Sequence, residues 1–266
     1  MVEPGTRGSP SFTILARGPF PVDRLRVSWQ DASPSTPPDR ERLVAATWRR
    51  AVRRARRRDA VLFNGPLCRL AQWEAHPWDL ALHLERTDYR TFVVTNLRRS
   101  RGRESLVDVA ADPLGVSAVV TTSDGKLLLG VRSHRVAEYR GWIDLVGGNV
   151  DPAAHLVDGV PDPVRAVLQE VQEELGVRAE DVERVVCLGL ARNTRTGKPE
   201  LIFATALAAS SELFLQTGPT PEHRQMVALP ADPEAVRDFL RRARRVTPSA
   251  QAGLTLWCDV EGQSVG

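Results

Sequence analysis

Cysteine is scarce: three residues in 266, at Cys68, Cys187 and Cys258. An odd count without metal-site spacing argues against a disulfide-stapled scaffold and a cysteine zinc cluster. Each thiol stands in an apolar or strand-like context, which reads as a reduced, buried side chain in a reducing cytosol. Lysine is scarcer, confined to Lys126 and Lys198, so arginine carries nearly all the positive charge of a chain with a formal net charge of +3. That bias is compositional and does not by itself imply a nucleic-acid partner. No apolar run approaches the ~20 residues needed to span a bilayer. The opening MVEPGTRGSP lacks the basic-then-apolar layout of a secretory leader, so a cytoplasmic location is expected. A phosphate-cradling P-loop, internal repeats and long low-complexity tracts are also missing. The histidines, His134 and His155 among them, show neither zinc spacing nor a nucleophile partner, which leaves structural or surface roles.

What is present is an alternation of short strands and helices with 42% hydrophobic content, enough for an ordinary core. SFTILARG and RLRVSWQ read as strands, and a helix begins near Asp39. In that helix Leu43, Val44, Trp48, Ala51, Val52 and Ala55 recur at helical spacing, while seven arginines between Arg49 and Arg58 surround them. Without interleaved aromatics the arginines read as a solvated helix exterior in preference to a grip on phosphate backbone. Strands follow at LCRLAQWE and WDLALHLER, then a short helix or turn at TDYRTFVVTN and a polar joint at RRSRGRESL. From about Asp112 the texture changes. GVSAVVTTSDGKLLLGVRS is a hairpin around Asp124-Gly125, and WIDLVGGNV is a strand entering a double glycine. The helix PVRAVLQEVQEELG starts at a proline and ends at Gly176. A second hairpin spans ERVVCLGLARNTRTGKPELIFATAL, and helices are expected at DPEAVRDFLRRARR and SAQAGLTLWCDV. Trp48 and Trp142 are expected to anchor core packing.

The helix VLQEVQEELGV carries the sequence's main chemical signal. Helical residues advance by about 100° each, so Glu170, Glu173 and Glu174 fall within one arc and repel one another unless a cation offsets them. Exposed helices often carry such acids to no effect. Here, however, a strand ending in Gly147-Gly148 lies upstream and Leu175-Gly176-Val177 closes the run.

This arrangement resembles the Nudix hydrolases, whose signature passes from a glycine through a loop to REUxEExGU, with U aliphatic. Residues 169–177 match every defined position but the first, where Gln169 replaces arginine. The loop from Gly148 to Glu170 is about seven residues longer than usual, and Ala154 stands where the family places a glutamate. Within the family the likeness is to the branch that hydrolyses UDP-glucose and UDP-galactose in vertebrates. It extends through ADPLGVSAVV, LGLARN, LFNGP and TDYRTFVVTN.

The resemblance implies an α/β fold, an α/β/α sandwich with a mixed sheet, divided into an N-terminal α+β extension (1–104) and a Nudix domain (105–266). It implies magnesium, or manganese, held by Glu170, Glu174 and the carbonyl of Gly148. Glu173 would be a further ligand or orient water, and Glu200 would be a second-tier ligand or base, weighed equally against an exposed strand end. Substrate contacts would come from Arg132, Arg192 and Asn193, with Arg135 a weaker candidate. Tyr89, Arg90 and Asn96 would help to enclose uridine, weighed against a packed tyrosine beside a capping asparagine. The expected partner is a small nucleotide sugar, with no nucleic acid, membrane or obligatory protein partner. Rival outcomes are hydrolysis of ADP-ribose or a dinucleotide, and a catalytically silent nucleotide-sugar-binding module.

Overall fold

The computed structural model describes residues 10–57, 62–99, 104–134, 136, 138–216, 218 and 220–263. Arg58, Arg135 and residues 100–103 of the expected polar joint therefore lie outside the described residues. In chain order the elements are β1 (Phe12–Phe20), β2 (Leu25–Gln30), α1 (Pro38–Arg56), β3 (Pro66–Ala75), β4 (Leu80–Asp88), α2 (Tyr89–Val94) and α3 (Asn96–Arg99). Then come β5 (Gly115–Thr121), β6 (Lys126–Arg132), β7 (Ile143–Asp144), β8 (Val146–Asn149), β9 (Leu156–Val157), β10 (Val160–Pro161) and α4 (Pro163–Leu175). The remainder is β11 (Val182–Asn193), β12 (Pro199–Leu207), α5 (Ser211–Leu215), β13 (His223–Pro230), α6 (Pro233–Arg242) and α7 (Pro248–Gln263).

A mixed sheet runs β1-β11-β12-β5-β6-β13, with β7 paired to β6 and β8 to β5. Its two faces follow from strand alternation. On β5 and β12, Val116, Ala118, Val120, Leu201 and Phe203 join one core with Ala166, Val167 and Val171 of α4. Val119 and Ile202 join another with Val236 of α6 and Leu254, Leu256 and Trp257 of α7. Helices thus cover both faces. Full burial of each α4 valine contributes about 1.5–3 kcal/mol, which holds that helix against the sheet.

The second sheet, β2-β4-β3, is not set apart from the first. Leu70, Leu80, Leu82 and Leu84 belong to the same core as α4. Backbone bonds continue across: Cys68 N to Val150 O at 2.9 Å, and Leu114 N to Cys68 O at 2.8 Å. Meanwhile β1 pairs with β11 along the edge of the large sheet. A boundary at residue 104 therefore passes through one continuous core and separates β1 from the sheet it belongs to.

Local signals translate directly. Asp162 caps α4 by accepting from Val164 N at 2.7 Å, and Gly176 ends it with φ 67°. All three cysteines are buried and free. Trp142 departs from its expected role: it is half-buried, its ring 5.2 Å from that of Tyr139, and the core tryptophan is Trp257. The strand β13 carries no regular alternation and was not anticipated.

Candidate functional site

Packing of α4 on β8 decides which acids face inward. Glu174 lies on the buried side, 9% exposed, and Glu170 is half-buried, whereas Glu173 turns outward. Gln169, the residue in the usual arginine position, donates to Glu173 Oε1 at 2.7 Å and holds it there. The expected single acidic face is therefore split, with two acids at the glycine elbow and one on the rim.

Gly148 leaves the room that the Glu170 side chain occupies. A Cβ built there would collide with Glu170 Oε1, so the carboxyl group lies directly on the backbone of β8. Burial pushes the Glu170 carboxyl up to about 8, and the charges of Glu174, Glu222 and Glu173 push in the same direction. Glu174 Oε1 accepts from Gly147 N at 3.1 Å. Its Oε2 lies 2.9 Å from Nδ1 of His223, a close contact whose angles are poor for a hydrogen bond. Burial raises the Glu174 carboxyl as well, while His223 and Gly147 temper the rise. His223 is 2% exposed, its ring packed where a Cβ on Gly130 would be.

Beside this elbow is a cavity of about 330 Å³ lined by Gly147, Gly148 and Asn149, by Glu200 and Glu222, and by the aromatic rings of Phe12, Tyr89, Phe92 and Tyr139. Glu200 is fixed at the cavity wall: Oε1 accepts from Ser117 Oγ at 2.6 Å and Oε2 lies 3.1 Å from Lys198 Nζ. Burial alone would lower the Lys198 ammonium; Glu200 and then Glu138 reverse this and hold it above its ordinary value. The Glu138 carboxyl is raised by burial, with Lys198 and Arg132 opposing.

The sequence-derived candidates divide clearly. Tyr89, Arg132, Arg192, Asn193, Gly148 and Glu200 line the cavity. Among them Arg192 has a buried Nε with no hydrogen-bond partner. Arg132 is already engaged, by Asp144 Oδ2 at 2.7 Å and the carbonyl of Glu138 at 3.1 Å. Arg90 does not line this cavity. It pairs with Glu41 at 2.9 Å in a separate pocket, about 100° around α2 from Tyr89. Asn96 is 1% exposed with both ends of its amide bonded inside the protein, so it cannot touch a ligand. Glu138, Tyr139, Lys198, Glu222 and His223 were not singled out from sequence. The rarity of lysine was the one available signal for Lys198, and Glu222 and His223 were lost with β13.

A cation offers a test of this donor set. Hard oxygen donors and a half-buried carboxyl pushed up to about 8 are what a divalent ion would relieve. Among the described residues, however, no group of three or more His, Cys, Asp and Glu side chains is arranged to hold a metal ion. Glu174 in particular is turned toward Gly147 and His223. The donors fit in type and charge, and Glu174 would have to turn to complete a cage.

The family model for the NUDIX domain matches residues 111–248, which contain the elbow, α4 and β11–β13. The chain belongs to the Nudix family. Nudix hydrolases generally use a divalent metal. This Nudix hydrolase is 27% identical to the human uridine diphosphate glucose pyrophosphatase NUDT22, over 97% of this chain and 95% of that protein. It is 32% identical to the mouse protein of the same name, over 59% of this chain and 54% of that one. Among solved structures, DR0079 from Deinococcus radiodurans aligns with a TM-score of 0.41 at 17% identity, covering 53% of this chain and 80% of that one. No described helix is long and apolar enough to cross a membrane.

Proposed function

We propose that this Nudix hydrolase cleaves the diphosphate linkage of UDP-sugars, UDP-glucose first and UDP-galactose second, to UMP and the sugar 1-phosphate, with magnesium as its metal. The observation that carries the reading is the half-buried Glu170 carboxyl against Gly148, its proton affinity raised, on the strand whose Gly147, Gly148 and Asn149 line the cavity together with Glu200 and Glu222. The near full-length likeness to the human UDP-glucose pyrophosphatase supports the choice of substrate.

A diphosphate resists attack because its oxygens are already negative, and a bound magnesium ion supplies the offsetting charge and polarises water. Glu170, Glu174 and the carbonyl of Gly148 would hold it, with Glu173 and Glu222 adding negative charge nearby. The chain's own residues do the rest. Lys198 and Arg192, both in the cavity lining, would present positive charge to the phosphates. Glu200, pinned by Ser117 and Lys198, is placed to align water. Tyr89 and Tyr139 in the cavity lining would supply aromatic contact for a planar base.

The test is incubation of the purified protein with magnesium and a panel of nucleoside diphosphate compounds, with products separated by ion-exchange chromatography. UMP and glucose 1-phosphate from UDP-glucose is the expected result. Turnover of ADP-ribose or a dinucleotide with none of any UDP-sugar would overturn the substrate assignment and leave the family unaffected.

A further inference from the structure

Asn96 is far from the acids and inaccessible, yet it joins three separate parts of the chain. Its Oδ1 accepts from the backbone N–H groups of Ala111 at 3.1 Å and Asp112 at 3.2 Å. Its Nδ2 donates to Asp112 Oδ1 at 2.7 Å and to the carbonyl of Thr196 at 3.0 Å. Thr196 is in the turn between β11 and β12. That turn is closed by Asn193, whose Oδ1 accepts from Arg195 N at 2.9 Å and Thr196 N at 3.1 Å. The other end of the Asn193 amide donates to the hydroxyl of Tyr139 at 3.0 Å. Tyr139, with φ 50°, belongs to the wall of the cavity.

We infer that Asn96 is a positioning residue that sets the aromatic wall of the cavity through Thr196, Asn193 and Tyr139. The physical case is that Tyr139 stands on the loop between β6 and β7, outside any strand or helix. Its ring contact with Trp142 comes from the same loop, whereas the Asn193 bond ties it to the sheet. The turn that orients Asn193 is in turn gripped from behind by Asn96, from a segment 100 residues away. The same grip reaches Lys198, whose backbone N–H bonds Thr196 Oγ1 at 3.3 Å and whose ammonium faces Glu200. Asn193 is thereby a bracket for the wall, since both ends of its amide are engaged. The inference takes the proposed hydrolysis as its readout without depending on which nucleoside diphosphate compound is the substrate.

The experiment is a double-mutant cycle in the full chain with Asn96→Ala and Tyr139→Phe, read on the best substrate of the panel. Each single variant should raise KM about tenfold while kcat falls by less than about threefold, as for loss of one buried hydrogen bond in a binding wall. In the Asn96→Ala background, Tyr139→Phe should then add nothing. Asn193→Ala leaves residues 95–112 untouched and guards against a folding failure of Asn96→Ala; it should reproduce the KM effect, and Asn193→Asp, which keeps the acceptor for the turn and replaces the donor to the tyrosine hydroxyl by an acceptor that the hydroxyl can donate to, should restore it. Amide hydrogen exchange of residues 193–198 supplies a readout without substrate, and faster exchange in Asn96→Ala is expected. Multiplying KM effects in the cycle, or unchanged exchange in the turn, would overturn the inference. A chain that hydrolyses nothing in the panel but shows the exchange change would refute the proposed function and leave the relay standing.

Discussion

Replacing Glu170 by glutamine should make the metal-free protein more stable at alkaline pH while removing hydrolysis. The reasoning starts from the carboxyl pushed up from 4.5 to about 8 by burial and by its acidic neighbours. The folded chain binds this proton more tightly than the unfolded chain, so the associated stability is fully present below about pH 4.5 and drains away as pH rises to about 8. At ~1.4 kcal/mol for each tenfold difference in proton affinity, the full loss is at most ~5 kcal/mol, and relaxation of the helix brings it to about 2–5 kcal/mol. Glutamine keeps the shape without the charge. In EDTA the variant and parent should melt together at pH 5. At pH 9 the variant should melt about 5–15 °C higher, given ~2–4 °C per kcal/mol for a chain of this size. Millimolar magnesium should then raise the parent's melting temperature at pH 9 and leave the variant's unchanged. Parallel melting curves from pH 5 to pH 9 in EDTA would refute the account of a charge confined against Gly148.

Three further outcomes follow from the same geometry. Gly148→Ala should lower kcat at least about a hundredfold with melting temperature little changed, because the new methyl group displaces the Glu170 carboxyl, checked by steady-state assay and thermal melting. Trp257→Ala should cost about 3–5 kcal/mol in urea unfolding while kcat/KM is retained where the protein stays folded, since this ring fills the core beneath α7. Cys68 and Cys187, both pushed up to about 12 by burial, should resist a thiol reagent at pH 8 in the native protein and react once it is unfolded in urea, as followed by absorbance of the released chromophore.

Features governed by neighbours in sequence were legible before the structure. The Asp124-Gly125 hairpin is one: Gly125 takes φ 68°, and Asp124 anchors the turn by accepting from Thr122 Oγ1 at 2.6 Å. The α4 helix, with its proline start and its left-handed glycine end, is another. Features governed by distant partners were not. Helical spacing alone groups Glu173 with Glu170 and Glu174, but contact with β8 separates them. An asparagine after a short helix looks like a cap until Thr196, 100 residues on, is found against it. His223 and Glu222 could not be recognised because β13 is a sheet edge without alternation, ending at Pro230. The candidate set around the elbow was therefore readable as a motif, whereas its supports were assembled only by tertiary contacts.

The threading of β1 into the large sheet has a practical consequence for anyone seeking a smaller catalyst. Trimming to residues 111–248 would strip the strand that covers the open edge of β11 and would remove nearly all of α7, with Leu254, Leu256 and Trp257. It would also lay bare the core that β3 and β4 share with α4. Such a fragment would carry the whole acidic motif and expose greasy surface on both sides of the sheet, a recipe for precipitation instead of turnover.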